Sequence, residues 1–265
     1  MYFCKIKPMK TETDFKELFF SPIECDFEED KSYQKGIPYY IALAQAFSIT
    51  GNSCLYILDY VEKKIVYFDH KARFLCGYSP EEIEQLGIDF FQKMLHPNDI
   101  RLFQKINDKG FEFYYSKVLP EDKKKYWANY DLCTISKTGE QEVHNFRFYP
   151  LVVNERGNMI LCMVQISLSP FNQSGNFFIC SEKEHKWYEY SDDKGKFVIK
   201  RGKLNLNEKK TLEFMSKGYT TKEIKAKTTI NESTINYYKS SIYKKIGVKN
   251  ANEAIYLYTL MGDYL

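Results

Sequence analysis

Histidine is scarce, cysteine is never paired at short range, and long apolar runs are absent; each shortage removes a class of function. Only four histidines occur in 265 residues (His70, His96, His144, His185), none at metal-ligand spacing from another His, Cys or Asp. The seven cysteines, Cys4, Cys25, Cys54, Cys76, Cys133, Cys162 and Cys180, are dispersed singly with no CxxC. That pattern argues for reduced thiols and against a disulfide framework or a zinc site. Several sit in apolar runs such as Leu161-Cys162-Met163, where cysteine serves as a small hydrophobe and redox sensing is the lesser reading. No P-loop, GxSxG or kinase motif occurs, nor the acidic cluster and lysine order of a phosphorylated receiver. The expectation is a non-enzyme. No stretch approaches the roughly 18 consecutive apolar residues of a membrane span. Met1 to Lys10 has scattered lysines without the apolar core of a secretory signal. A cytoplasmic location without a membrane partner is therefore expected.

What is present is globular: 44% apolar and 28% charged residues, enough chain for two domains each with its own core. The net charge of +3 conceals a split. Residues 1–199 carry 25 Lys/Arg against 29 Asp/Glu, whereas residues 200–265 carry 13 against 6, a balance of +7. Such asymmetry points to a polyanion partner for the C-terminal part, nucleic acid first, with a solvated basic face as the alternative.

Along the chain there is no internal repeat or low-complexity block. Residues 1–36 alternate between acidic and aromatic, with Glu28-Glu29-Asp30 as a charged break. Pro38 opens an apolar run, Tyr39 to Phe47, suited to an entry helix that Gly51-Asn52 ends. Strands follow over Cys54–Tyr60 and Ile65–Phe68, then a helical, loop-broken section from Ala72 to about Asp108. Three runs rich in Val, Ile, Tyr and Phe come next: Tyr126–Ile135, Val143–Val153 and Met159–Ile166. Glycine-bearing turns join them, Lys137 to Glu140 and Asn154 to Asn158. Two strands, short helices, then three strands predict an α+β domain, an antiparallel sheet with helices on one face. Phe177–Cys180, Lys186–Tyr190 and Phe197–Lys200 read as further short strands. They fit either a hairpin on that sheet or an arm beside the C-terminal helices.

Gly77-Tyr78-Ser79-Pro80-Glu81-Glu82, His96-Pro97-Asn98-Asp99 and Lys137-Thr138-Gly139-Glu140 follow in order over about 46–170. This resembles the GYSPEE, HPxD and KxGE signatures of PAS domains. Ser79 with Glu82 has capping-box spacing, Pro80 suits a first helical turn, and Pro97 and Asp99 suit the next start. The resemblance implies a sensory or dimerising fold and does not identify the signal. Phe74-Leu75-Cys76-Gly77 departs from the Asn-Cys-Arg-Phe-Leu-Gln setting of flavin-binding light sensors, so no cofactor is expected. A small apolar or aromatic ligand in the core stays open.

The sharpest pattern lies at the C-terminal end. Asn205 with Glu208 opens a first helix that Gly218 closes, and a second runs Thr221 to Lys227. A third runs from Asn231 to about Ile246, ended by Gly247, and a fourth follows from Ala251 to Leu260. In the third, Ile235, Tyr238, Ile242 and Ile246 recur at helical spacing and must be buried. Opposite them lie Ser233, Asn236, Tyr237, Ser240 and Lys244, a face with hydrogen-bonding groups and no carboxylate. Such a face fits the major groove, where Asn bonds adenine bidentately.

The run Lys222-Glu223-Ile224, Thr234-Ile235, Ile242, Lys245-Ile246-Gly247-Val248 resembles the LuxR (GerE-type) pattern KEI…TV…I…KLGV from Leu204 to about Leu260. The resemblance implies a four-helix helix-turn-helix in which Asn236, Tyr237 and Ser240 face bases. Lys222, Thr234, Lys244 and Lys245 would contact phosphate, and the fourth helix would support dimerisation. Lys225 stands where the family usually has alanine against the neighbouring helix, so it must snorkel or the helices must shift. Thr228 replaces a core leucine and Tyr238 a histidine. The expected domains are an N-terminal extension and entry helix (1–45), a PAS-like sensory domain (46–170), a β-rich linker (171–203) and a LuxR-type DNA-binding domain (204–265). The expected function is a bacterial, PAS-gated, sequence-specific transcriptional regulator, a homodimer on double-stranded DNA with the transcription machinery as a further partner. The alternative is a PAS-centred interaction protein whose helical tail docks a protein.

Overall fold

A computed structural model describes residues 5–6, 15–20, 23–24, 31–200 and 204–265. Glu28-Glu29-Asp30, Cys4 and Cys25 lie outside the described residues. The chain divides into two compact units, Met1–Glu184 with Tyr188–Val198, and His185–Trp187 with Ile199–Leu265. A two-residue ladder, β1 (Lys5–Ile6) with β2 (Ile23–Glu24), flanks the short helix α1 (Phe15–Phe20). The entry helix α2 (Ile37–Thr50) starts one residue before Pro38 and ends at Gly51.

The main sheet holds β3 (Ser53–Asp59), β4 (Lys64–Phe68), β5 (Tyr126–Ile135), β6 (Gln141–Val153), β7 (Met159–Leu168), β8 (Gly175–Ser181), β9 (Lys186–Ser191) and β10 (Lys196–Ile199). Their order is β10-β9-β8-β5-β6-β7-β3-β4, antiparallel, so the α+β class read from the sequence is the fold. Between β4 and β5 come α3 (Pro80–Leu86), α4 (Asp89–Met94) and α5 (Pro97–Lys117). Alternation along β3 sends Cys54, Tyr56 and Leu58 into the core shared with these helices. The intervening Leu55 and Ile57 meet Ala44 of α2 on the opposite face. Helices thus lie on both sides of β3, and every residue of that strand is buried.

The helical section outruns its expected end near Asp108, because α5 continues to Lys117 through Gly110. A mid-helix glycine costs about 1 kcal/mol relative to alanine. Burial of Phe111 and Tyr114 one turn on offsets that, at about 1.5–3 kcal/mol for a large apolar side chain. Of the two readings of the 171–203 segment, its strands join the sheet: β8 pairs with β5, Tyr126 against Ser181 and Asp131 against Gly175.

Two of the three sequence signatures meet at one corner, and the third is held against β5 at Cys133. Ser79 and Glu82 make the capping box of α3, and Lys137 Nζ donates to Glu82 at 2.5 Å while lying 4.6 Å from the Tyr78 ring centre. Gly77 turns the chain at φ +79°, where a side chain would be strained. His96 caps α5 by accepting from Asn98 N at 3.3 Å, and Asp99 accepts from Cys133 N at 2.6 Å and from the Ser174 hydroxyl.

On the other sheet face a polar group is fully buried. Asp131 accepts from Asn145 Nδ2 (2.9 Å) and Asn176 Nδ2 (2.6 Å). Burial pushes its carboxyl up to about 6, against the lowering effect of Asn145, Asn176 and Ser169. Cys54, Cys76, Cys162 and Cys180 are buried and Cys133 half-buried; burial raises all five thiols, which suppresses thiolate chemistry and fits their reading as core.

Candidate nucleic-acid interface

Four helices build the C-terminal unit: α6 (Leu206–Ser216), α7 (Thr221–Lys227), α8 (Glu232–Ile246) and α9 (Ala251–Met261). Each starts on a hydrogen-bonded cap, respectively Asn205, Thr220, Asn231 and Asn250. Gly247 closes α8 in the left-handed conformation at φ +78°, which glycine adopts without strain. Leu212, Ile224, Ile235, Ile242, Ile246 and Leu257 fill the core between them.

The core orients α8. With Ile235, Ile242 and Ile246 turned in, Asn236, Tyr237, Ser240 and Lys244 stand exposed on the opposite side. Tyr237 keeps 68% of its surface in solvent, unusual for so large an apolar ring. Thr234 is half-buried, its N–H donating to Asn231 Oδ1 at 2.9 Å. Lys222 on α7 is exposed, and neither it nor Lys244 is paired with a carboxylate among the described residues.

Lys245 is placed differently from Lys244. It donates to Glu208 Oε2 at 2.7 Å, and the same carboxylate accepts from Asn205 N (2.7 Å) and Ser241 Oγ (2.6 Å). Burial would raise the Glu208 carboxyl, but Lys245, Ser241 and Asn205 outweigh it and hold it below its ordinary value. Lys245 therefore closes an internal ion pair. Lys225, expected to snorkel or to shift the helices, is exposed and pairs with Glu232 at 3.3 Å. Thr228 is half-buried and donates to Ile224 O at 2.8 Å, which satisfies the hydroxyl at a position where the family pattern has a core leucine. Tyr238 is half-buried rather than fully buried, with its hydroxyl accepting from Asn207 Nδ2 at 3.2 Å.

Two contributors went unseen in the sequence. Lys239 Nζ donates to Thr221 Oγ1 at 2.8 Å, and Thr221 Oγ1 donates to Asn236 Oδ1 at 3.5 Å. Lys239 lies three residues after Asn236, on the flank of the outward face, and that spacing was the available signal.

The family model for bacterial regulatory proteins of the luxR family matches residues 204–258. These residues form a LuxR-type domain. The expected recognition helix of the LuxR-type domain is α8, and its match spans all four helices up to Tyr258. No curated protein matches the chain by sequence. Solved structures similar to it include the Vibrio cholerae VqmA dimer in the absence of target DNA, at 15% identity, 84% of this chain, 88% of that chain and a TM-score of 0.33. A phage VqmA–DPO complex gives 18% identity, 87% and 91% coverage and a TM-score of 0.27. A sensory box histidine kinase/response regulator from Burkholderia thailandensis gives 14% identity, 46% and 80% coverage and a TM-score of 0.33.

Apart from the LuxR-type domain, the other unit holds an apolar cavity of about 50 Å³ between α5 and β5, β6 and β8. Gly110, Tyr114, Tyr130, Phe148 and Phe177 are among its walls. The Tyr114 hydroxyl is buried with no hydrogen-bond partner among the described residues, and burial pushes it well up. An unmet buried hydroxyl costs about 1–3 kcal/mol, a deficit that a ligand acceptor or water removes. Among the described residues no helix is long and apolar enough to cross a membrane, and no three His, Cys, Asp or Glu side chains gather to hold a metal.

Proposed function

We propose that the chain is a bacterial, cytoplasmic, sequence-specific transcriptional regulator in which the PAS-like unit gates DNA binding by a homodimer. The observation that carries it is the outward face of α8. Asn236, Tyr237, Ser240 and Lys244 are exposed together, without a carboxylate, on a helix fixed from behind by buried isoleucines. Asn236 and Ser240 supply base-edge hydrogen bonds and Tyr237 a base or phosphate contact. Lys222, Thr234 and Lys244 supply phosphate contacts; Lys245 is committed to Glu208 and adds structure rather than charge to this face.

Pairing is supported by α2. Its sequence from Ile37 to Thr50 has no charged residue, yet Tyr39, Leu43 and Phe47 are 76%, 56% and 66% exposed at four-residue spacing. The stripe reads aromatic, aliphatic, aromatic from either end. An antiparallel second copy sets Leu43 against Leu43 and Tyr39 against Phe47, as an isologous interface requires. Two α8 helices then enter successive major grooves, about 34–36 Å apart. A small apolar or aromatic ligand at the Tyr114 cavity shifts the equilibrium between binding and non-binding dimers. The cavity is a third of the roughly 150 Å³ that admits benzene, so a ring-sized ligand moves a wall residue on entry.

The test is selection of bound sequences from random DNA by the full-length protein and by an Asn236→Ala/Tyr237→Ala variant. A two-fold motif enriched by wild type and lost by the variant supports the assignment. Salt-insensitive or absent DNA binding, together with a stable protein complex, overturns it in favour of a protein-docking tail. A monomer on the selected site overturns the homodimer.

A further inference from the structure

An asparagine can read a base only if its amide is turned the right way. Its carbonyl oxygen accepts and its NH2 donates, so a half-turn about the last side-chain bond reverses what the groove meets. On an exposed helix face that rotation is free unless something holds it. Asn236 is exposed, and its own helix provides no side-chain restraint for the amide: the Ser240 hydroxyl on the next turn donates to the Asn236 backbone carbonyl at 3.1 Å.

The restraint comes from α7. Lys239 Nζ lies 2.8 Å from Thr221 Oγ1. An ammonium is donor-only, so the threonine oxygen must accept, which leaves its own proton for another acceptor. That acceptor is Asn236 Oδ1 at 3.5 Å. The donors run from Lys239 through Thr221 to Asn236 Oδ1, the last step a long contact at 3.5 Å, and this arrangement turns the amide oxygen, not the NH2, toward Thr221. Lys239 is half-buried and has no carboxylate partner among the described residues, so no carboxylate competes with Thr221 for it.

We propose that Thr221, made a hydrogen-bond donor by Lys239, is a positioning residue that fixes the Asn236 amide and so sets base preference at the pair Asn236 reads. The proposal rests on Asn236 reading a base, as proposed above. Thr221 itself touches no base. Its side chain acts within the protein, and its loss changes discrimination rather than overall affinity for DNA. The helix cap is Thr220, not Thr221, so the α7 start survives substitution at Thr221.

The experiment is selection from random DNA by the full-length wild type, Asn236→Ala, Thr221→Val, Thr221→Ser, Lys239→Met and the Thr221→Val/Asn236→Ala double variant. Binding to a fixed unrelated duplex is titrated alongside. Thr221→Val should flatten preference at the same base pair as Asn236→Ala, by about tenfold, the scale of one good base contact. Thr221→Ser should keep the preference and Lys239→Met should lose it. In the Asn236→Ala background Thr221→Val should add nothing, because a residue acting through another has no independent effect. Full preference in Thr221→Val, or losses that add in the double variant, overturns the positioning role while leaving Asn236 as a reader. If Asn236→Ala keeps every preference, Asn236 is not a reader, and the positioning role falls with that assignment.

Discussion

Lys245 Nζ reaches Glu208 Oε2 across 2.7 Å and ties the last turn of α8 to the first turn of α6. Glu208 has only 2% of its side chain exposed, so the pair is half-hidden from solvent. Lys245→Met leaves that carboxylate short of a partner. It should destabilise the C-terminal helices by about 1–3 kcal/mol, read as faster amide exchange in α6 and α8. Unchanged exchange, with a smaller salt dependence of DNA binding, would instead place Lys245 at a phosphate.

Two buried carboxylates respond to pH with opposite signs. Glu208 is held below its ordinary value, so its contribution is present above about 4.5 and is lost as pH falls through the lowered value. Asp131 is raised from 3.8 to about 6, so its contribution is fully present below 3.8 and is lost as pH rises through about 6. Urea unfolding of the sheet unit, followed at Trp127, should therefore show stability falling between about pH 4 and 6. Asp131→Asn should remove that slope, and an unaltered slope would show that another group causes it.

Phosphate contacts carry a salt signature. Lys222→Ala and Lys244→Ala should each weaken binding to all duplexes alike and lower the slope of log affinity against log salt by about 1. Lys225→Ala should leave the slope unchanged, because Lys225 already faces Glu232 at 3.3 Å. Titrations between 50 and 200 mM salt, on the order of the range that separates phosphate contacts, decide this.

The cavity can be closed from its helix side. A methyl group on Gly110 would sit 3.4 Å from Phe177 Cζ, an ordinary contact, and would occupy cavity space. Gly110→Ala should raise stability by about 1 kcal/mol, since the glycine lies within α5. It should also abolish any shift in melting temperature caused by small aromatic compounds. A Gly110→Ala variant that still responds to such a compound would place the ligand elsewhere.

The sequence made the capped helices legible because caps are local. Ser79 with Glu82, Asn205 with Glu208 and Asn250 with Glu253 are spaced by the first helical turn, and each is bonded as that spacing requires. Isoleucine periodicity likewise fixed which way α8 faces. Contacts between elements were not legible. Periodicity puts Lys244 on the outward face and turns Lys245 away from it, but only the packing of α6 gives Lys245 its partner in Glu208. The continuation of α5 through Gly110 is not legible for a similar reason: glycine signals a stop locally, while the burial of Phe111 and Tyr114 that offsets its cost depends on strands distant in sequence.

None of the residues in the Gly77–Glu82, His96–Asp99 or Lys137–Glu140 signatures lines the cavity beside Tyr114. Two of those motifs brace a corner, joined by Lys137 and Glu82, the third is tied to β5, and none has a stake in what the cavity accepts. Two proteins retrieved by the same three signatures can therefore answer unrelated chemicals. A compound library for this protein is better sorted by what stands at Gly110, Tyr114, Tyr130 and Phe177 than by kinship.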